Sequence, residues 1–224
     1  MRVDVITLHA VQNYGSVLQA LATQKLLEKH GCEVKIINYI REDVRYKNIL
    51  QARSNGNIIK KIVLYPNVKK WKKVFKGFCN EYLNLTDRSY TTENDFKDYP
   101  LDADMFCTGS DQVWNSKWNQ GIISPLYLSF VPEDKFRFSL AASFGQDKLS
   151  QDEVKATKKY IEKYNCISVR ESSGKKIIEQ QYKYPYAEHI IDPTLMLDDD
   201  EWRRFANNKK TTEDYIRSEE HTSE

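Results

Sequence analysis

The sequence predicts an α/β fold, with an open parallel sheet, flanking helices and a helical insertion after the second strand. Three observations support this prediction. Short apolar runs of strand length alternate with segments in which apolar residues recur at helical spacing. The first two runs and the helix between them fit into about forty residues, as a βαβ crossover does. The second half of the chain then repeats the same alternation.

The first unit is the clearest. Residues 1–8 form an apolar run of strand type, a polar loop follows at 9–16, and residues 33–39 form the next strand. The helix between the strands is indicated by apolar residues at helical spacing, Leu18, Leu21, Ala22 and Leu26. Gly31 stands where a helix needs a left-handed C-terminal cap. The two strands are therefore expected to lie parallel in one sheet.

The insertion, residues 57–85, is predicted to be helical, with Pro66 splitting it into two pieces. Beyond Pro66 an apolar stripe is formed by Trp71, Val74, Phe75, Phe78 and Tyr82. Lysines surround this stripe, namely Lys69, Lys70, Lys72, Lys73 and Lys76. Between residues 41 and 80, eleven Lys or Arg stand against Glu42 and Asp43, which gives a local net charge of +9.

The second half contains further strands and helices. Strands are predicted at residues 104–108, 136–143, 166–169 and 189–191. Ser150 and Glu153 match a capping box, which predicts the start of a helix. The apolar face of that helix comprises Val154, Tyr160, Ile161 and Tyr164. Two more helices are expected, one over residues 173–181 and one around Trp202 and Phe205.

The composition is that of a soluble globular protein, with 40% hydrophobic and 29% charged residues. A run of eighteen apolar residues is absent from the sequence, which excludes a typical membrane-spanning helix. The N-terminal segment is too short and too acidic to be a signal peptide. The four cysteines are far apart and lack metal-ligand spacing. We therefore expect free thiols in a reducing cytoplasm and no metal site.

The last eight residues, 217–224, are interpreted as a sequencing artefact. Back-translated in one frame, they resemble a common short-read sequencing adapter. Such segments are excluded before the fold is considered. Residues 1–216 are therefore expected to be the N-terminal part of a longer protein.

Polar residues follow the first strand in a pattern that suits ligand binding. Ligands of open parallel sheets bind beyond the carboxyl ends of the strands, where helix N-termini supply unpaired N–H groups. Asn13, Tyr14, Gly15 and Ser16 lie there and open the first helix. The glycine permits close approach of the backbone, and the serine can cap the helix. An ordinary turn and cap would have the same residues, so both interpretations stay open.

The loop after the strand at 104–108 is more specific. It combines a glycine, a hydroxyl, a carboxylate, two amides and an indole in the residues Gly109, Ser110, Asp111, Gln112, Trp114 and Asn115. Such a mixture suits a sugar, because sugar hydroxyls require donors and acceptors and the ring faces stack on aromatic side chains. The alternative is a loop held together by its own hydrogen bonds.

Charged residues follow the later strands. Arg170 and Glu171 come directly after the strand at 166–169. The arginine could bind a carboxylate or phosphate of a ligand, or pair with Glu171 or another acid of the protein. Asp192 follows the strand at 189–191, where it could face the cleft or cap the next turn.

Four segments together resemble the polysaccharide pyruvyl transferase family, in order and in spacing. They are residues 13–20, 109–115, 168–172 and 192–195. The resemblance covers residues 1–200 and implies a Rossmann-like N-terminal domain, followed from residue 201 by the start of a second domain, as in GT-B glycosyltransferases. It implies transfer of a pyruvyl group from phosphoenolpyruvate to two hydroxyls of a sugar, with release of phosphate.

The resemblance also implies what the described loops do. By this resemblance, the residues expected to bind substrate are Asn13, Tyr14, Gly15, Ser16, Gln19, Gly109, Ser110, Asp111, Gln112, Trp114, Arg170, Glu171 and Asp192. The family's donor-site Arg and His belong to its C-terminal domain and have no equivalent before residue 216. Catalytic residues are therefore not assigned, and residues 1–216 alone are expected to be inactive.

The expected ligands are phosphoenolpyruvate and a glycan acceptor, without a cofactor, metal or nucleic acid. The oligomeric state is left open. The basic helical segment could contact the inner face of the membrane, where lipid-linked glycans are built. It could equally be a stripe packed on the domain with its lysines extended into solvent. Two other functions stay open: a nucleotide-sugar glycosyltransferase of the same general fold, and a non-catalytic glycan-binding protein.

Overall fold

The computed structural model of the chain describes residues 1–44 and 46–206. Residues 217–224, interpreted as adapter-derived, lie outside the described residues, and so do residues 207–216 of the expected second domain.

The described part of the chain forms one open sheet of seven strands, in which all neighbouring strands are parallel. The strands are β1 Arg2–Ile6, β2 Glu33–Tyr39, β3 Leu85–Tyr90, β4 Met105–Thr108, β5 Phe136–Ala142, β6 Cys166–Val169 and β7 Glu188–His189. Their order across the sheet is β3-β2-β1-β4-β5-β6-β7. The predicted α/β fold class with a Rossmann-like sheet is confirmed.

Helices connect the strands. They are α1 Tyr14–Lys29, α2 Tyr46–Ser54, α3 Ile58–Tyr82, α4 Glu93–Asp98, α5 Gln151–Ile161, α6 Ser172–Lys176 and α7 Asp199–Arg203. Short 3-10 turns occur at Ser124–Tyr127 and Pro193–Leu195. Helix α6 continues into a π-helical turn at Ile177–Gln181, so the predicted helix over 173–181 is present in two forms.

The first βαβ unit follows the prediction closely. Asn13 caps α1, because its side-chain oxygen accepts a hydrogen bond from the N–H of Ser16 at 3.2 Å. Gly31 ends the helix with a φ of +80°, and its N–H donates to the carbonyl of Glu28. Strand β1 then pairs in parallel with β2 on one side and β4 on the other.

The prediction that Pro66 splits the helical insertion is wrong. Helix α3 runs through Pro66 without interruption and connects, after α2, strand β2 to strand β3. Proline cannot donate to the carbonyl four residues earlier, which belongs to Ile62. Pro66 and Ile62 are both exposed, so water can bind that carbonyl in place of the missing donor.

The end of α3, strand β3 and the short helices α2 and α4 were not predicted from the sequence. The predicted helix was extended to residue 85, whereas α3 ends at Tyr82 and Leu85 already belongs to β3. Strand β3 is the edge of the sheet, and its residues 87–89 are exposed. An edge strand of this polar composition lacks the apolar signal of a buried strand. The short helices α2 and α4 were missed for the same reason, since they carry few apolar residues.

In the second half the boundaries shift by a few residues. Ser150 caps α5 by accepting a hydrogen bond from the N–H of Glu153 at 3.2 Å, which is one bond of the predicted capping box. Helix α7 starts three residues before Trp202, with a complete capping box between Asp198 and Glu201. The last predicted strand lies at Glu188–His189 rather than 189–191.

The sheet has a hydrophobic core on each face. One contains Val5 of β1, Leu21 of α1 and Phe75 of α3. The other contains Phe106 of β4 and Trp114.

The four cysteines carry free thiols, as predicted, and burial raises the pKa of the Cys79 thiol to about 11. Over residues 1–44 and 46–206, the helices lack the combination of length and apolarity needed to cross a bilayer.

His9 should make folding stability sensitive to acid. The imidazole is fully buried beyond the end of β1, 3.4 Å from the Thr7 carbonyl and 3.4 Å from Asn38 Oδ1. Burial lowers the pKa of His9, although these two contacts oppose it. Below the pH at which an unfolded histidine titrates, about 6.5, only the unfolded chain takes up the proton, so stability falls.

We expect the stability difference between the wild-type chain and His9→Asn to shrink on acidification below this pH, by up to about 1.4 kcal/mol per pH unit. Urea denaturation at a series of pH values measures it. Parallel stability profiles for the two proteins would contradict this role of His9.

Candidate functional site

A cleft lies at the carboxyl ends of β1 and β4, where the strand order reverses direction. The chain leaves β1 towards β2 on one side and leaves β4 towards β5 on the other. The loops after β1 and β4 therefore diverge, and in open α/β sheets the crevice between such loops is the ligand site. The cleft has a volume of about 230 Å³.

Eight of the thirteen predicted site residues line this cleft: Asn13, Gly15, Ser16, Gln19, Asp111, Gln112, Arg170 and Asp192. They come from four separate segments of the chain, which the parallel sheet brings together at one edge. The other five lie beside or behind the lining: Tyr14, Gly109, Ser110, Trp114 and Glu171.

One wall is the first turn of α1. Asn13 caps the helix, and a Cβ at Gly15 would come 3.1 Å from the capping oxygen of Asn13, so glycine keeps this turn tight. Ser16 and Gln19 follow on the buried side of the helix. The Gln19 amide nitrogen donates to the Thr7 hydroxyl at 2.9 Å and to the Ser16 carbonyl at 2.8 Å, which fixes the amide in place.

The opposite wall is the loop after β4. Glycine at position 109 suits the tight packing, since a Cβ there would lie 3.0 Å from Cβ of Thr7, just beyond β1. The fully buried Ser110 accepts a bond at its carbonyl from the Thr7 hydroxyl at 2.6 Å. Its own hydroxyl donates to Asp192 at 2.9 Å. Gly109 and Ser110 thus position the loop from behind the lining.

Asp111 has a strained backbone. Its φ of +93° lies in the region that side-chain-bearing residues rarely adopt. The strain is held by the sheet, because the carbonyl of Asp111 accepts a bond from the N–H of Ser143 at 3.0 Å, just beyond β5. Strain of this kind costs on the order of 1–3 kcal/mol and clusters at active sites and ligand clamps.

The Asp111 carboxyl group is electrostatically unusual as well. Burial raises its pKa, and the facing Ser16 hydroxyl and the N–H of Gln112 only partly oppose this. Oδ1 accepts from the N–H of Gln112 at 2.7 Å. Oδ2 is buried, and within the described residues it has no hydrogen-bond partner of normal geometry. A buried carboxylate oxygen without a partner is costly unless something else binds it.

Arg170 is engaged by the protein itself. Its Nε donates to Glu171 Oε1 at 3.0 Å, and one terminal nitrogen donates to Asp192 Oδ2 at 2.9 Å. Of the two interpretations left open for Arg170, the structure therefore has the pairing with acids of the protein. Burial opposes the charge, but the bonds to Asp192 and Glu171 raise the pKa of Arg170.

Asp192 completes this network. Its Oδ1 accepts from the N–H and the hydroxyl of Thr194 at 2.9 and 2.7 Å, so it caps the following turn. Burial raises the pKa of Asp192, but the bonds from Thr194, Arg170 and Ser110 outweigh it and hold the pKa below its ordinary value. Asp192 is therefore ionised at neutral pH and both faces the cleft and caps the turn.

The cleft carries an excess of acceptors and of negative charge. Its lining holds the carboxylates of Asp111 and Asp192 against one guanidinium, and Glu171 lies behind Arg170. Gln19 Oε1 and Glu171 Oε2 resemble Asp111 Oδ2: both are buried, and the described part of the chain offers neither a partner. A ligand rich in hydrogen-bond donors would satisfy such a site.

Trp114 and Tyr14 are in other environments than the prediction assumed. Trp114 is fully buried, and its indole N–H donates to the carbonyl of Leu126 at 3.2 Å, so its ring cannot stack on a ligand in the cleft. The ring of Tyr14 packs on Trp71 and Phe75 of α3, with ring centroids 6.0 and 5.2 Å apart. Both aromatics therefore support the two walls from outside.

Comparison with known proteins decides the family. A sequence model of the polysaccharide pyruvyl transferases matches residues 13–224. The chain belongs to the polysaccharide pyruvyl transferase family. Comparisons with curated proteins and with solved structures gave no match. All residues that line the cleft fall within the part matched by the family, so the cleft belongs to the region by which this transferase is recognised.

Two residues of the transferase cleft were missed by the sequence analysis. Trp118 lines the cleft with 57% of its surface exposed, and Thr194 holds Asp192. Trp118 lies only four residues after Trp114, and the two indoles could have been told apart only by knowing which is buried.

Among the described residues, groups of three or more His, Cys, Asp or Glu arranged to hold a metal ion are absent.

Proposed function

We propose that the cleft binds the sugar acceptor of a pyruvyl transfer from phosphoenolpyruvate. The observation that carries this proposal is the pair of unpartnered buried oxygens on residues that line the cleft, Asp111 Oδ2 and Gln19 Oε1. Sugar hydroxyls are neutral donors that can satisfy such acceptors. Trp118 stands exposed at the edge of the same cleft, where the apolar face of a sugar ring can stack on it.

The charge of the cleft argues for the acceptor rather than the donor. Phosphoenolpyruvate carries a phosphate and a carboxylate, and both need cations or N–H donors. In this cleft Arg170 already binds Glu171 and Asp192, and the carboxylates outnumber the guanidinium. The donor is therefore assigned to residues outside this cleft, as the family resemblance implies.

The reaction we propose balances without a cofactor. The methylene carbon of phosphoenolpyruvate gains a proton and becomes a methyl group. C2 forms two bonds to sugar oxygens, while its π bond to the methylene carbon and its bond to the phosphate oxygen break. The two hydroxyls release two protons, of which one balances the methyl group and one is carried by the departing phosphate. The enzyme must therefore accept protons from the hydroxyls and supply one to carbon.

We assign the first of these tasks to Asp111. Within the described residues its Oδ2 has no hydrogen-bond partner of normal geometry, and the raised pKa makes it a stronger base than an ordinary aspartate. The strained backbone holds the carboxyl group in a fixed position, which keeps it aimed while the hydroxyl attacks. Ser16, facing the same carboxyl group, can orient it without neutralising it.

The test is phosphate release by the protein, incubated with phosphoenolpyruvate and a panel of saccharides. We expect release only when a suitable saccharide is present, with formation of a ketal detected by mass spectrometry. Release that does not depend on a saccharide, or transfer of a sugar from a nucleotide donor instead, would contradict the proposed function.

A further inference from the structure

The outward face of α3 carries an apolar surface that residues 1–44 and 46–206 leave uncovered. Ile58, Ile59, Ile62 and Val63 are 69–74% exposed, although β-branched aliphatic residues are usually buried. They fall within the first two turns of the helix. Clustered exposed apolar side chains of this kind mark an interaction surface more often than scattered single ones do.

The face continues into a basic surface. At about 100° per residue, Lys69, Lys70, Lys73 and Lys76 point in the same outward direction as Ile58, Ile59, Ile62 and Val63, two to four turns further along. All four lysines are exposed. Val68, Phe75 and Cys79 lie on the opposite side and are buried against the domain. Helix α3 contains seven lysines and a single acidic residue, Glu81.

We propose that this face of α3 docks on an anionic lipid bilayer. An interfacial helix needs an apolar surface that enters the acyl boundary and cations that contact the headgroups. Helix α3 has both on one face, with the apolar part at its N-terminal end and the basic part behind it. This combination matches a lipid surface of negative charge better than any apolar protein groove.

A second copy of the chain is a poorer occupant for the same face. Two copies paired through this face would bring two surfaces of net positive charge together, and like charges repel across such an interface. The bilayer needs no such pairing. It would also lie close to the candidate site, because Trp71 and Phe75 of α3 contact Tyr14 in the turn that forms one wall of the cleft.

The test is co-sedimentation of the chain with two kinds of vesicle, phosphatidylcholine alone and phosphatidylcholine mixed with phosphatidylglycerol. We expect binding to the anionic vesicles only, weakened by added salt. The double variant Lys70→Glu/Lys73→Glu should lower the partition coefficient by at least about 25-fold, since each lysine near the surface contributes about fivefold. Ile59→Ser/Ile62→Ser should lower it by about tenfold.

Lys155→Glu/Lys159→Glu on α5 is the matched control, because both lysines are exposed on another element, and it should bind as the wild type does. Equal binding to both vesicles, or none to either, would overturn the proposal. So would a dimer, seen by analytical ultracentrifugation, that Ile59→Ser/Ile62→Ser dissociates. These measurements do not depend on pyruvyl transfer, so their failure leaves the proposed function untouched.

Discussion

Replacing Asp111 by asparagine is expected to slow pyruvyl transfer by about 10²–10⁴-fold, the usual contribution of a general base. Asparagine keeps the shape of the side chain and tolerates a positive φ, so the loop should retain its backbone. What it loses is the ability to take a proton from the sugar hydroxyl. The measurement is the rate of phosphate release at saturating phosphoenolpyruvate and acceptor.

The same substitution should leave the folding stability of the chain unchanged or raise it. Burial raises the pKa of Asp111, so the folded chain binds more protons than the unfolded chain over that range, and stability falls as pH rises through it. Wherever it is ionised, the buried carboxyl group therefore destabilises the fold, and above that range Asp111→Asn should unfold at an equal or higher temperature than the wild type. The exposed Asp134→Asn is the control. Unchanged transfer in Asp111→Asn would refute the assigned role.

Trp114 and Trp118, four residues apart, should respond differently to truncation. One substitution should lower folding stability and the other should weaken saccharide binding. Trp114→Ala is expected to destabilise the chain by about 3–5 kcal/mol, because it removes a fully buried indole. That indole packs on Tyr127, Phe144 and Tyr164, with centroid distances of 5.7, 5.1 and 5.6 Å. Chemical denaturation measures the loss.

Trp118→Ala should leave stability within about 0.5 kcal/mol of the wild type, since its side chain is exposed. It should weaken saccharide binding by roughly three- to tenfold, the value of one stacking contact. Each variant thus serves as the control for the other. If Trp118→Ala unfolds the chain, or leaves saccharide affinity unchanged, Trp118 is not a stacking surface of the cleft.

The parallel sheet could be predicted because its inner strands are buried on both faces. Strands β1, β2 and β6 have apolar runs bounded by polar loops, and their predicted positions match within a few residues. Strand β3 gave no such signal, since only Thr86 and Tyr90 of its six residues are buried. The continuity of α3 through Pro66 could not be read from the sequence, because it depends on that residue facing solvent.

The candidate site was predictable as a set of loops but not as a set of contacts. Parallel topology brings the carboxyl ends of the strands to one edge, so the polar segments after β1, β4, β6 and β7 had to meet there. The positive φ of Asp111 leaves no mark in the sequence, since glycine would be the expected residue at that position. Local sequence also cannot tell that Trp114 is buried while Trp118 is exposed.

The most direct test of the central claim is a titration of the chain, followed by its backbone amide chemical shifts. One sample receives a panel of methyl hexopyranosides and a parallel sample receives phosphoenolpyruvate. We predict that a saccharide shifts the amide signals of Ser16, Asp111 and Trp118, whereas phosphoenolpyruvate leaves them in place. If phosphoenolpyruvate shifts these signals and the saccharides do not, the cleft is the donor site and the assignment made here is wrong.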